Sequence, residues 1–467
     1  MTREAFASDP DVPWVAGTSP AMTKKGVSKP GAQASFSNSS RMRRAIVVGG
    51  SLGGLFAACM LLRSGWDVVV LERAEAKLVG RGAGLGVHPP MLEGLLHAGA
   101  RVDKHVGVAI GGRAVLARDG SVAAEIAMPQ FCTSWARLYT ILSEAFPEER
   151  VCRGIALEGF EQDADGVTAY LSNGASLRAD VLIGADGVRS TVRRQLLPDV
   201  ELVYAGYVGW RGMVDEWTLS PQTHAALFHR FAWGLIPGEH ILGYPVPGPD
   251  DDLIPGRRRY SFVWYRPVDA ESTLQEMQTD AAGRYHRGGI PPQAIRPELI
   301  AALRQDADAL FCRAWAEVVG KADQPLFQPI GDLESPRMAF GRVALLGDAA
   351  FVARPHVARG AIKAGHDAMA LAAALASAPV AEGLREYDAV RRPASLRLVA
   401  ESRRLGAYLE GKGERTGDAV AFMRANGGVE PSTVDGGLFF RLLAEVGLAR
   451  SSCETESRVA TGTEKGQ

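Results

Sequence analysis

Three short stretches carry residues that could do chemistry together. The first is Gly49-Gly50-Ser51-Leu52-Gly53-Gly54, preceded by the apolar run Ala45–Val48, with Glu72 closing the next apolar run, Val68–Leu71. The second is Gly184-Ala-Asp186-Gly187, followed by Arg189, Ser190 and Arg193. The third is Gly347-Asp348-Ala-Ala350, followed by Arg354-Pro355-His356 and Gly360. A glycine turn between a buried strand and a helix lets backbone N–H groups and the positive helix end meet a pyrophosphate. An acid at the end of the second strand accepts hydrogen bonds from ribose hydroxyls, which makes the first stretch a dinucleotide fingerprint. Gly49 permits the tight turn, and Gly54 lets helix and strand pack closely. Ser51 stands where the pattern has its middle glycine, and its N–H and hydroxyl still donate. Arg73, just past Glu72, and Arg81, in the glycine-rich loop Gly80–Pro90, are cations placed to meet a phosphate or a ribose. Each motif alone is also an ordinary βαβ unit or Asp-Gly turn.

The elements that must position these residues read clearly. Short β-branched runs at 45–48, 68–71, 179–183 and 342–346 predict buried parallel strands. The spacing of Leu52, Leu55, Phe56, Cys59 and Met60 predicts a helix ending at Gly65. Residues 105–130 read as short strands, 134–146 as a helix, and 155–177 as hairpins turned at Asp165-Gly166 and Asn173-Gly174. From Tyr204 to Arg266 aromatic residues concentrate and alternate between Pro-Gly turns, which predicts an antiparallel sheet with one aromatic face suited to a flat ligand. Residues 270–318 read as helices with Ile300, Leu303 and Leu310 on one face. An Ala-rich helix is expected over 362–376, and packed amphipathic helices over 384–411.

Composition narrows the function classes. The chain has 467 residues, 46% of them hydrophobic, and a net charge of −1. That length supports more than one domain and a large core. A near-neutral chain offers no basic field for nucleic acid. No apolar run reaches membrane-spanning length, so no membrane partner is expected. The 5 cysteines show no ligand spacing and read as reduced thiols of a cytoplasmic protein, with neither a disulfide frame nor a metal site. Residues 1–42 lack an apolar signal segment and read as a disordered extension, with Met42 a candidate start. Residues 451–467 read as a disordered tail.

In order and spacing, the three motifs resemble the signatures of single-component FAD-dependent aromatic hydroxylases, the para-hydroxybenzoate hydroxylase fold. The match runs over roughly residues 43–400 and includes Tyr387-x-x-x-Arg391-x-Pro393. Gly86–Pro89, Tyr204–Gly212, Tyr244–Gly248 and Arg354–Ala364 are similar to members that hydroxylate hydroxylated N-heterocycles. The resemblance implies an α/β fold. A Rossmann-like FAD-binding domain (43–200 and 336–400) would surround an antiparallel β-sheet substrate domain (201–335), with C-terminal helices over 401–450. It implies that Ser51, Gly53 and Gly54 hold the FAD pyrophosphate, with Gly49 and Leu52 also in the cofactor site, Glu72 the adenosine ribose and Asp348 the ribityl chain. Asp186 would sit near the pyrophosphate, and Pro355 and Gly360 against the isoalloxazine. Two departures stand out: Trp135 holds the place of a common family arginine, with Arg137 two residues on, and Ala358-Arg359-Gly360 replaces Gly-Gln-Gly.

The resemblance further implies a homodimer that uses NADH or NADPH and O2 to hydroxylate a small aromatic or N-heterocyclic ring, through a flavin C4a-hydroperoxide. The cofactor carries the hard chemistry. The protein must exclude water and help deprotonate a ring hydroxyl, a task for a base with pKa near working pH. His229, Tyr207, His356 and Tyr244 are the candidates, with His229 expected on a strand of the aromatic sheet. A satisfied structural histidine is the competing reading for each imidazole. Three rival functions share the fold. A halogenase would carry Trp-x-Trp-x-Ile-Pro, which Phe231-Ala-Trp233-Gly-Leu-Ile236-Pro237 only echoes. A flavoprotein epoxidase or oxidative decarboxylase would act on a related aromatic. A non-catalytic FAD-binding protein would show no substrate-stimulated NAD(P)H consumption.

Overall fold

The computed structural model describes residues 42–78, 84–270, 272–409 and 437–448. A six-stranded sheet forms its first half. The strand order is Ala339–Phe340, Val343–Leu345, Val181–Gly184, Arg44–Val48, Asp67–Glu72 and Val151–Arg153. All neighbours run parallel except the hairpin of the first two. Ala45 pairs with Val68 on one side and Val181 on the other, and Leu182 pairs with Val343. These short runs carry no polar alternation because helices bury both faces. The helix Leu52–Arg63 packs on this sheet and against the helix Gly360–Ser377. Parallel pairing therefore brings Gly49, Glu72, Gly184 and Gly347 to one edge, the carboxyl ends of four adjacent strands.

The second half is a nine-stranded sheet. Its order is Phe351–Val352, Leu326–Glu334, Val203–Asp215, Arg259–Pro267, Glu239–Val246, Arg230–Ile236, Val108–Leu116, Val122–Ser134 and Gly84–Val87. Pairing is antiparallel throughout except between Arg230–Ile236 and Val108–Leu116. The last three strands come from before residue 201, so this sheet recruits chain from both sides of the Gly184 turn. Trp210, Phe262 and Trp264 point to one face and pack with Trp315 and Leu303 of the covering helices Arg313–Lys321 and Pro297–Leu310. Tyr207, Tyr265, Tyr244 and Phe231 fall on the opposite face by the period of two. A three-stranded sheet, Leu157–Gln162, Val167–Leu171 and Ser176–Ala179, packs its buried face into the same core as the six-stranded sheet.

Three expectations change. Residues 270–318 are not continuously helical: turns and a Thr279–Tyr285 bridge separate Thr273–Met277 from Pro297–Leu310. The expected set of C-terminal helices begins as one 30-residue helix, Val380–Leu409, with Pro393 inside it. A proline removes one donor and crowds one carbonyl, and packing against neighbouring elements tolerates that. His229 lies in the turn before the strand Arg230–Ile236 and not on a strand.

Candidate active site

The Gly49–Gly54 turn is shaped by contact. Gly49 has a φ of 103°, and a Cβ there would lie 2.5 Å from the Ala185 carbonyl oxygen. A Cβ on Gly54 would lie 1.7 Å from the Gly49 carbonyl oxygen, so no other residue fits. Ser51 is the N-cap of the helix that follows, yet its hydroxyl makes no capping bond, and no acid occupies the first turn. The first-turn N–H groups keep their pull on an anion. Leu52 is buried in the core, so its backbone is what faces the turn. Glu72 accepts from Gly50 N and Ala74 N, both at 2.8 Å. A carboxylate has about four lone-pair sites, so two remain for hydroxyls. Arg73 is exposed beside it, and Arg81 lies outside the described residues.

The other two turns are braced from behind. Asp186 Oδ2 accepts from Thr191 N at 2.6 Å and Val192 N at 3.3 Å, adding to the Ser190 cap at the start of the helix Thr191–Leu196. Burial pushes the Asp186 carboxyl above its ordinary range. Arg193 ties the second turn to the third, donating to Ala349 O at 3.0 Å and Val188 O at 2.6 Å. Behind Gly347, Asp367 Oδ2 accepts from Gly347 N at 3.1 Å and Lys363 Nζ at 3.0 Å. Lys363 Nζ also donates to Gly347 O at 2.8 Å, and Arg391 Nε to Asp367 Oδ1 at 2.8 Å. Tyr387 adds a bond to Leu345 O at 2.9 Å. Asp348 itself combines an open surface with an enclosed setting that holds its carboxyl above the usual range.

The loop Arg354–Gly360 carries the third stretch to the aromatic face of the nine-stranded sheet. The Tyr207 hydroxyl and His356 Nε2 are 2.6 Å apart, and both side chains are buried. The imidazole also lies 4.7 Å from the Tyr265 ring and 5.5 Å from that of His240, centroid to centroid. Burial, with His240, Arg354 and Arg211 nearby, drives the His356 pKa well below the ordinary value, so the ring is neutral. Arg211 comes from the strand of Tyr207, four residues on, and its Nε is buried with no hydrogen-bond partner among the described residues. Tyr244 stacks on Phe231 at 4.5 Å, with its pKa pushed up by burial. His229 belongs to another group, 5.8 Å from His224, which binds Glu216 at 2.8 Å. The structure thus brings Tyr207 and His356 together and leaves His229 outside. Pro355 opens the short turn Pro355–Val357, and Gly360 starts the next helix with open space where a Cβ would be.

Comparison with known proteins gives this geometry a family. The model of a family described as FAD binding domain-like matches residues 204–332. The chain is 34% identical over 329 residues to 2,6-dihydroxypyridine 3-monooxygenase of Paenarthrobacter nicotinovorans, covering 70% of this chain and 82% of that protein. It is 30% identical over 382 residues to 3-amino-4-hydroxybenzoate 2-monooxygenase of Streptomyces cremeus, covering 78% and 86%. The chain belongs to the FAD-dependent aromatic hydroxylases. Its fold agrees with the solved 2,6-dihydroxypyridine-3-hydroxylase from Arthrobacter nicotinovorans at a TM-score of 0.77 and 30% identity, over 85% of this chain and all of that one.

The residues present fit the hydroxylases' cofactor. A glycine cradle that no Cβ could enter, a helix end with uncapped N–H groups, and an exposed Asp348 share one sheet edge. Arg137, two residues past the position of the common family arginine, is turned elsewhere, donating to His105 O at 3.1 Å and pairing with Asp251 at 3.4 Å. Ala358 takes a left-handed φ of 51° where the family motif has glycine. Sequence reasoning missed Arg211, His240 and the Lys363–Asp367–Arg391 group. The i, i+4 spacing of Lys363 and Asp367 was a signal for the last, although such pairs are common on solvated helices.

Proposed function

We propose that this hydroxylase acts on a hydroxylated N-heterocycle of the hydroxypyridine type, with NADH or NADPH as electron donor. The likeness to enzymes named for 2,6-dihydroxypyridine supports the ring class. When bound, FAD supplies the two-electron chemistry that activates O2. Gly49, Ser51, Leu52, Gly53 and Gly54 would face its pyrophosphate, Glu72 and Arg73 its adenosine end, and Asp348 its ribityl chain. Asp186 would shape the turn beside the pyrophosphate, and Pro355 and Gly360 would line the ring. The single observation that carries the mechanism is the buried Tyr207–His356 hydrogen bond of 2.6 Å. A neutral imidazole is the form able to accept a proton, and the negative charge forming on the bound ring would offset the burial and neighbouring cations that hold its pKa down. In its Nδ1–H tautomer, Nε2 takes the Tyr207 hydroxyl proton while Tyr207 takes that of the ring hydroxyl. The resulting oxyanion donates electron density to the carbon to be hydroxylated. Arg211, with an unsatisfied buried Nε, would stabilise that charge. The aromatic walls of Tyr265, Tyr244 and Phe231 would orient the flat ring and keep water out.

The same reading covers the finer properties. Residues 43–200 and 336–400 would hold FAD and 201–335 the substrate, in a cytoplasmic homodimer. The 4 described cysteines are buried and unpaired, in keeping with a reducing compartment. Among the described residues no helix is long and apolar enough to cross a membrane. The test is to purify the yellow protein and screen hydroxypyridines and phenols with each nicotinamide donor. Ring-stimulated oxidation of the donor, with one atom from labelled O2 in the product, is expected. Oxidation that no hydroxylated ring accelerates would sink the proposal.

A further inference from the structure

The helix Val380–Leu409 reaches the Tyr207–His356 pair at Gly406. A Cβ built on Gly406 would lie 3.2 Å from the Tyr207 hydroxyl, 3.2 Å from His356 Cδ2 and 3.2 Å from Arg354 Nη1. Ordinary van der Waals contact begins at 3.4 Å, so one methyl group would push these atoms by a few tenths of an ångström. The helix gives no local reason for the glycine. Its backbone is not left-handed there, and glycine weakens a helix relative to alanine. The neighbouring turn of the same helix holds the loop that carries His356. Ser402 Oγ accepts from Arg354 N at 3.0 Å. Arg403 Nη2 donates to Asp332 Oδ1 at 2.5 Å, and Arg354 Nε donates to Asp332 Oδ2 at 2.8 Å. Ser402 and Gly406 therefore meet the loop of Arg354 and His356 directly, and Arg403 meets it through Asp332.

We infer that Gly406 is a positioning residue: the room it leaves sets the separation of the Tyr207 hydroxyl and His356 Nε2. This rests on reading that pair as the proton acceptor for the ring hydroxyl. A proton passes well only along a short, aligned hydrogen bond. The helix gives up stability at Gly406 so that hydroxyl and imidazole can close on each other. The other groups facing His356 are His240 and Tyr265 from the sheet, with Arg211 and Arg354. None of them is on this helix, and of these only Arg354 would itself be touched by a Cβ at residue 406.

The test compares Gly406→Ala, Tyr207→Phe and the double variant as full-length, FAD-loaded protein. The Nε2 resonance of His356 in protein labelled with 15N-histidine, assigned through His356→Gln, reads the hydrogen bond without a substrate. Gly406→Ala should move that resonance while flavin content holds and the melting temperature stays level or rises. In the Tyr207→Phe background the same change should move it less, because the methyl still meets His356 Cδ2 but no hydrogen bond remains for it to lengthen. With 2,6-dihydroxypyridine as the ring, kcat should fall about tenfold while KM stays within about threefold, and the acid limb of the kcat profile should shift. An unmoved resonance in Gly406→Ala, or an equal shift in both backgrounds, overturns the inference. A Tyr207→Phe enzyme with an unaltered pH profile overturns the proton-acceptor reading instead, and the resonance still decides the role of Gly406.

Discussion

Replacing Asp367 by asparagine removes one negative charge from a site that holds two cations. Asp367 is fully buried, with Lys363 Nζ at 3.0 Å and Arg391 Nε at 2.8 Å. Breaking a buried pair by removing one partner costs about 3–5 kcal/mol, because the remaining charge stays desolvated. Asparagine keeps some hydrogen bonding, so Asp367→Asn should lose about 3 kcal/mol, the low end of that range. For a chain of this length the shift is about 1 °C per kcal/mol, so the expected fall in melting temperature is roughly 3 °C. The pH dependence has a definite sign. Burial raises the Asp367 pKa, but Lys363 and Arg391 outweigh it, and the folded value lies below the ordinary one. Its contribution is therefore complete above the unfolded carboxylate pKa of about 3.9 and disappears as pH falls through the lower folded value. The gap between wild type and variant should be constant from neutral pH down to roughly pH 5 and close below that. Thermal melts across this range, with flavin absorbance of the gel-filtered protein, make the assay. The flavin should also loosen, since Asp367 and Lys363 fix the turn that bears Asp348. A variant that melts within about 1 °C of wild type and keeps its flavin would refute the claim that this buried group braces the turn.

Other expectations follow from single contacts. Asp348→Ala should keep the fold, lose FAD on gel filtration and abolish turnover; full flavin occupancy with a normal rate would count against the assignment. Gly54→Ala forces a methyl to 1.7 Å from the Gly49 carbonyl oxygen, so soluble expression or flavin binding should collapse, and a normal yellow protein would show that the turn can yield. Ala358→Gly relieves a left-handed alanine, and the gain of about 1 kcal/mol, less the added chain entropy of glycine, should raise the denaturant midpoint slightly. An unchanged or lower midpoint would mean that the strain is compensated elsewhere.

What was legible in the sequence was local. A strand, a glycine turn and a helix within 28 residues announce themselves through spacing, and the edge they form follows from parallel pairing. The aromatic alternation at 260–265 likewise fixed which side chains share a face. The hydroxyl–imidazole contact was not legible as a contact, because 149 residues separate Tyr207 from His356. Only the meeting of the Pro355 loop with the strand Val203–Asp215 brings them together. His229 was misassigned for a related reason: it precedes a strand by one residue, and strand ends are poorly marked by alternation. The buried role of Asp367 was hidden because a Lys-x-x-x-Asp pair looks the same on a solvated helix.

The six-stranded sheet has a consequence for biosynthesis. The first and second neighbours of Arg44–Val48 on one side, Val181–Gly184 and Val343–Leu345, are translated long after it. At about 5–20 residues per second, the ribosome takes roughly 15–60 s to travel from the first of these strands to the last. Until then the open flank of Val181–Gly184 has no native neighbour, and a nascent chain of high contact order carries an unpaired, apolar edge. Chaperone demand during synthesis, and poor yield of any fragment that stops short of Leu345, are built into the order of the strands.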